Sequence, residues 1–358
     1  MKKIILAVFI FVLVTRLSYS QSGKMITIVD AAGRKITVSD SANLILLICE
    51  GEVLRLLDAE ERVVGINRYI KELYSEECPQ MSKKPTVGNF GPGEVNYEQI
   101  LKIAEETQGE DIVITYNENW AENIEERLNG IQGIKVVKFN FHQLDSFDSQ
   151  LRILAKIIGK EERCNQFLEW KDSIHHSITD KLKDIGPDKR IKVYWDTSSN
   201  GNYDTANKTK GAHKIIELAG GNNIAKDLPM PSSVVSPEWI LTENPEIIIS
   251  HGSNLKAMVG IGLGYDANIT DYSKLEKAKK ALMELRGFKD TEAVCNGRVY
   301  FIHDNLMFGP QQAIGAMYLA KWFYPEPFKD LKPEEKNREF YERFMNLEYK
   351  GIYVYPEK

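Results

Sequence analysis

The sequence predicts an α/β protein of two Rossmann-like lobes joined by a single long backbone helix, with a ligand cleft between the lobes. Three observations predict it. Short apolar runs alternate with helical segments in both halves of the chain, the pattern of mainly parallel sheets covered by helices. One helical stripe of unusual length separates the halves. A helix–strand unit of the first half recurs in the second.

In chain order, Met25-Ile26-Thr27-Ile28-Val29 and Lys35-Ile36-Thr37-Val38 are β-prone runs separated by a turn containing Gly33, which reads as a hairpin. Leu44 to Ile48 is uninterrupted apolar sequence, as expected of a strand buried on both faces. Residues 52–58 read as helix. Val63 to Ile66, Asp111 to Ile114 and Val136 to Phe139 read as further strands with helical segments between them. From Glu161 to Ile185, apolar residues at Cys164, Phe167, Leu168, Ile174, Ile178, Leu182 and Ile185 recur at intervals that trace one helix stripe, which Gly186-Pro187 ends. The second half repeats the alternation: strands at Ile191 to Trp195, Glu246 to Ser250 and Arg298 to Ile302, helices at 211–219 and 274–285, and closing helices at Gln311 to Tyr324 and Pro333 to Leu347. The boundaries that follow are a leader over 1–20, a first lobe over 21–158, a linking helix over 159–186 and a second lobe over 187–358.

The recurring unit is the most informative feature. Glu98-Gln99-Ile100-Leu101 precedes the strand at Asp111, and Glu238-Trp239-Ile240-Leu241 precedes the strand at Glu246. Asn96 and Ser236 stand two residues before the glutamates as helix N-caps, and Pro237 suits a first helical position. Each glutamate on its own is accounted for by the helix dipole, which favours a carboxylate in the first turn. Two matched glutamates on matched lobes invite a shared role.

Composition narrows the classes. A chain of 358 residues, 43% hydrophobic, is long enough for two domains. A net charge of -5 and a pI near 5.8 give no electrostatic reason to bind nucleic acid. Lys2 and Lys3, the apolar run Ile4 to Val14 and the small residues at Ser18 and Ser20 have the layout of a secretory signal cleaved after Ser20. The run is shorter than the ~20 residues a bilayer needs. No cysteine follows it to carry a lipid, so the mature chain is expected in a periplasm or an equivalent extracytoplasmic space. Cys49, Cys78, Cys164 and Cys295 have no zinc-ligand spacing. They fit either one disulfide, with Cys49 and Cys78 nearest in sequence, or buried free thiols. There is no nucleophile elbow, phosphate loop or HExxH motif.

The sequence resembles the substrate-binding proteins of ABC importers for iron–siderophore complexes, haem and cobalamin. The resemblance rests on Ile28-Val29-Asp30-Ala31-Ala32-Gly33-Arg34 with Ile36-Thr37-Val38, on Val63-Val64-Gly65-Ile66, and on Val87-Gly88 ahead of Asn96 to Leu101. It continues through Val235-Ser236-Pro237-Glu238-Trp239-Ile240-Leu241, Asn296-Gly297-Arg298-Val299-Tyr300 and the tail Ala320 to Pro325. It covers nearly the whole chain after residue 20. It implies two α/β lobes on one rigid helix with little closure on binding, a monomer with no resident cofactor, and a membrane permease as partner. Arginine pockets of that permease would receive the carboxylates of Glu98 and Glu238. The chain departs from the family pattern after the first docking helix, where Gly109-Glu110-Asp111 replaces the usual Pro-Asp step. Metal chelatases share the two-lobed plan and are the enzyme alternative, which a secretion signal argues against.

Ligands of open α/β sheets bind beyond the carboxyl ends of the strands. That places Arg68, Tyr69, Phe90, Tyr116 and Trp120 at the cleft from the first lobe, and Trp195, Tyr203, His213, His251 and Phe308 from the second. Aromatic faces suit a bulky chelate, and the two imidazoles could meet a metal. Three ligand classes compete. A bare metal ion is disfavoured by only six histidines without paired spacing. A molybdate-type oxyanion is favoured by the Ser/Thr-rich run from Thr197 and opposed by Glu50 and Glu52. An organic metal chelate fits the aromatic residues best, although Arg68 and Lys208 are the main cations available to an anionic one.

Overall fold

The computed structural model describes residues 23–357 except 108, 120, 199–201, 266, 268, 270 and 271. The leader over 1–20 and Trp120 therefore lie outside the described residues.

Apolar runs without alternation build the two central sheets. In the first lobe, β1 (Met25–Val29) and β2 (Lys35–Ser39) form an antiparallel hairpin. Strands β3 (Asn43–Leu46), β4 (Val63–Gly65), β5 (Asp111–Tyr116) and β6 (Ile134–Phe139) form a parallel sheet in the order β4-β3-β5-β6. Every residue of β5 is buried, because helices cover both faces of a parallel sheet. In the second lobe, β7 (Ile191–Asp196), β8 (Asp204–Ala206), β9 (Gly221–Asn223), β10 (Ser232–Val234), β11 (Ile247–His251), β12 (Val299–Ile302) and β13 (Val354–Tyr355) follow. The main sheet runs β13-β12-β11-β7-β9, parallel except for β13, while β8 and β10 pair by themselves in antiparallel fashion. The Ser/Thr-rich run that begins at Thr197 thus leads into a short strand, β8.

The sequence echo is a structural one. β5 lies between β3 and β6, and β11 lies between β7 and β12. The helix before each, Tyr97–Thr107 and Pro237–Glu243, is capped as expected. Asn96 Oδ1 accepts from the Gln99 N–H at 3.0 Å, and Ser236 Oγ accepts from the Trp239 N–H at 3.1 Å. A helix leading into a parallel strand runs back against it. Its first turn therefore stands at the level of the strands' carboxyl ends, which places Glu98 and Glu238, both exposed, at that end of their lobes.

The linking helix spans Glu161–Leu182, ~33 Å at 1.5 Å per residue. Helix Leu144–Ile158 of the first lobe and helix Gln312–Phe323 of the second pack against it. One continuous apolar core runs from Leu46 and Phe139 through Phe167, Trp170 and Ile178 to Val193 and Ile314. The closing helix Pro333–Glu339 continues in wider, π-type turns through Phe340–Met345 and returns to the first lobe. There Phe344 packs on Phe167 and Trp170 with ring centroids 5.3 and 5.2 Å away. Arg163 donates to the Arg343 and Phe344 carbonyls at 2.8 and 3.0 Å, Arg55 donates to the Met345 carbonyl at 2.6 Å, and the Tyr341 hydroxyl donates to Glu77 at 2.6 Å. All four cysteines are free thiols, so the Cys49–Cys78 disulfide does not form. Among the described residues no helix is long and apolar enough to cross a membrane.

Candidate functional site

The carboxyl ends of β3, β5 and β6 face those of β7 and β12 across a cavity of about 500 Å³. The first lobe contributes Glu50, Tyr116, Glu118, His142 and Gln143. The second contributes Trp195, Thr197, Lys210, Gly211, Ser232 and Phe308, among others.

On the first-lobe wall, the Tyr116 hydroxyl donates to Glu50 Oε2 at 2.7 Å and accepts from the Cys49 N–H at 2.8 Å. Burial pushes the Glu50 carboxyl above its ordinary range, and the nearby His142 and the Tyr116 hydroxyl only partly offset this. His142 Nε2 lies 3.3 Å from Glu118 Oε1, and its Nδ1 lies 3.9 Å from Glu50 Oε1. Asn140 also donates to Glu118, at 3.2 Å. Two carboxylates and one imidazole thus form a connected polar strip on the cavity wall, with the Tyr116 ring beside His142 at 5.6 Å.

On the opposite wall, Trp195 is 1% exposed, its indole stacked on His251 at 5.7 Å and met edge-on by Phe308 at 6.2 Å. His251 Nδ1 is 3.0 Å from Asp304 Oδ1, and the Ser253 hydroxyl donates to Asp304 Oδ2. Burial opposes both charges in this pair, but mutual attraction outweighs it. His251 is raised above its ordinary 6.5, and Asp304, helped by His303 and Ser253, is held at about 2. Behind them Asp196 is buried and accepts from the Ser198 and Ser250 hydroxyls, both at 2.7 Å, which ties the ends of β7 and β11 together.

The pair sets a pH window. Asp304, lowered on folding, stabilises the fold above its ordinary 3.8, and this is lost as pH falls toward 2. His251, raised on folding, stabilises below 6.5, and this is lost as pH rises through its folded value. Asp304→Asn should therefore lower the unfolding midpoint most between pH 3.8 and 6.5, with the gap from wild type narrowing on both sides. Thermal melts of both proteins across pH test this, and a gap that is constant with pH would contradict it.

Of the residues singled out from the sequence, Tyr116, Trp195 and Phe308 line the cavity. Phe90 stands behind Tyr116, edge-on at 5.2 Å, and Tyr69 continues the chain of rings at 6.1 Å from Phe90. Arg68 is exposed, 3.6 Å from Glu72. Lys208 is likewise exposed and paired with Asp227 at 3.0 Å, so the lysine at the cavity is Lys210 instead. His251 backs Trp195 rather than lining the cavity. His213 is buried one position past the cavity-lining Gly211 and Ala212; the helix turns it inward beside Glu217 at 3.3 Å, and burial lowers its pKa. Tyr203 lies elsewhere. Its backbone takes a positive φ of 27°, its hydroxyl accepts from the Gly287 N–H, and its ring packs on Phe288 at 5.4 Å, on the other face of the second sheet with Tyr194. Glu98 and Glu238 stand apart from the cavity on the outer helices, and Arg286 meets Glu238 at 2.6 Å. His142 and Lys210 were not singled out from sequence, since neither belongs to a motif and only the fold brings them to the cleft.

Comparison with known proteins identifies the class. The family model described as periplasmic binding protein matches residues 49–306, and the chain belongs to that family, the solute-capturing proteins of ABC transporters. It is 26% identical to the TroA-like periplasmic binding protein FepB from Veillonella parvula, whose structure superposes with a TM-score of 0.72 over 92% of this chain and 99% of that one. The structure of the molybdate-bound periplasmic protein MolA of Haemophilus influenzae superposes equally well, TM-score 0.72, at 20% identity over 91% and 99% of the two chains. In sequence alone the curated MolA is matched over 58% of this chain and only 53%, about half, of its own length. An ABC transporter substrate-binding lipoprotein of Bacillus subtilis, YvrC, is 21% identical over 78% of each chain.

Proposed function

We propose that this protein captures an organic metal chelate (a siderophore, haem or corrinoid) in the interlobe cavity and presents it to a membrane permease that docks at Glu98 and Glu238. The observation that carries the reading is the cavity itself. At about 500 Å³ it falls in the range of about 300–1,000 Å³ typical of sites for bulky organic ligands. Its faces are the rings of Tyr116, Trp195 and Phe308. Glu50 and Glu118 on the first-lobe wall disfavour a small, multiply charged anion. Binding rather than catalysis is the role, with the protein acting as an exported monomer freed of residues 1–20.

A second reading, capture of a molybdate-type oxyanion, draws on two observations. The first turn of helix Gly211–Leu218 meets the cavity beside Thr197, Thr209, Lys210 and Ser232, and backbone N–H groups at a helix start favour anions. The molybdate-bound neighbour shares the fold. The carboxylate strip on the facing wall counts against it.

Native mass spectrometry of the protein purified from its own cells, with metal analysis on the same sample, decides between the two. An organic ligand carrying iron or cobalt is the expected result. Molybdenum or tungsten at one per chain with no organic component would overturn it.

A further inference from the structure

Beneath the main cavity, and sharing Glu50 and Phe308 with it, lies a recess of about 80 Å³. That is roughly the room of two or three water molecules at ~30 Å³ each. Cys49, Glu52, Tyr74, Asp304, Asn305 and Gly309 complete its wall, so it straddles the junction of the lobes. Three carboxyl groups face it, and no lysine or arginine does. Two of the three are engaged: Glu50 by the Tyr116 hydroxyl, Asp304 by His251 and Ser253. Glu52 is not. It is 3% exposed, and its own backbone N–H is the one hydrogen-bond donor its carboxyl has among the described residues. Across the recess, Asn305 is 6% exposed and its Nδ2 has no partner. Its Oδ1 accepts from the Tyr74 hydroxyl at 3.5 Å, and a half-turn of the last torsion exchanges the two, with Nδ2 donating to the Tyr74 oxygen and Oδ1 presented to the recess. Gly309 keeps the space open, since a Cβ there would stand 2.9 Å from Glu52 Oε1.

We propose that this recess is a subsite for a protonated amine: a primary ammonium on an arm of the solute enters it from the main cavity and donates to Glu52, Glu50 and the Asn305 amide oxygen. The proposal rests on the reading of the main cavity as a chelate site and specifies which chelates it takes, those with a free cationic arm. The chemistry is that of an unmatched charge. A buried carboxyl without a partner is costly as an anion. Burial, with the charges of Glu77 and Glu50 added, pushes Glu52 well above its ordinary range. Burial therefore favours the neutral form of this carboxyl, and an arriving ammonium offsets that cost for the anion, the carboxyl proton leaving to solvent. Among the described residues no group of three or more ligand-type side chains is arranged to hold a metal ion. An organic cation with directional N–H donors suits the geometry better.

Saturation-transfer NMR with methylammonium as the probe tests this without knowledge of the chelate. The whole mature protein should transfer saturation to methylammonium and not to tetramethylammonium, which is too bulky for the recess and has no N–H. Glu52→Gln, isosteric with the protonated acid and checked by an unchanged circular dichroism spectrum, should abolish the transfer. Asn305→Leu, which removes the facing amide, should weaken it several-fold. Silence of methylammonium with the wild-type protein, equal transfer to both cations, or full transfer in Glu52→Gln would overturn the subsite. None of these results depends on the native ligand, so the subsite and the chelate reading fail separately.

Discussion

Replacing Trp195 with alanine is expected to cost about 3–5 kcal/mol of folding free energy, the usual range for emptying a fully buried tryptophan site. The indole is closed in by His251 and Phe308 and belongs to the core that runs through the linking helix. It is therefore both a wall of the cavity and a keystone of the lobe junction. Chemical denaturation of wild type and Trp195→Ala measures the loss, and a loss below about 1 kcal/mol would mean that the ring does not pack as described. The dual role governs how affinity is probed. Trp195→Phe keeps an apolar ring and lets binding be read on a folded protein, whereas a weakened signal in Trp195→Ala mixes lost contact with lost fold.

Reversal of charge at the two exposed glutamates should act oppositely, leaving the protein and its solute affinity intact while disabling delivery. An interfacial carboxylate removed from an arginine partner typically costs about 2–5 kcal/mol, and every ~1.4 kcal/mol is tenfold. Glu98→Lys should therefore weaken docking by about thirtyfold or more. Glu238→Lys should have the smaller effect, because Arg286 already partners Glu238 and would have to be displaced in the proposed docking. Uptake assays with the natural permease, alongside solution titration of the purified variants, separate delivery from capture. Normal uptake in both variants would remove these residues from the docking surface.

The parts of the fold legible in the sequence were those whose burial writes a period. The unbroken apolar runs became β3, β5 and β11, and the three-and-four spacing of Cys164, Phe167, Leu168, Ile174 and Ile178 became the buried stripe of the linking helix. Asn96 and Ser236 announced their helices because capping is local chemistry. Strands β8 and β10 left no such trace. They are three residues each and largely polar, too short to write a period. The site was legible by address more than by orientation. Tyr194 and Trp195 are neighbours at the same strand end, yet strand alternation sends Trp195 to the cleft side and Tyr194 to the far face with Tyr203 and Phe288. Helix phase likewise turns His213 inward while Gly211 meets the cavity. The acidity of Glu50 and Glu52 was visible as composition. Their burial at the lobe junction was not, because it depends on the second lobe closing over them.

The return of Phe340–Met345 to the first lobe has a bearing on how the protein is made. Arg55 and the Met345 carbonyl meet across 290 positions of chain, and contacts so distant in sequence carry a large loop-closure cost. A polypeptide synthesised amino end first leaves the first-lobe helices that meet this segment unsealed until the final turns arrive. A nascent or clipped product lacking those last turns would expose Phe167 and Trp170 together, a ready mark for proteases that remove unfinished chains.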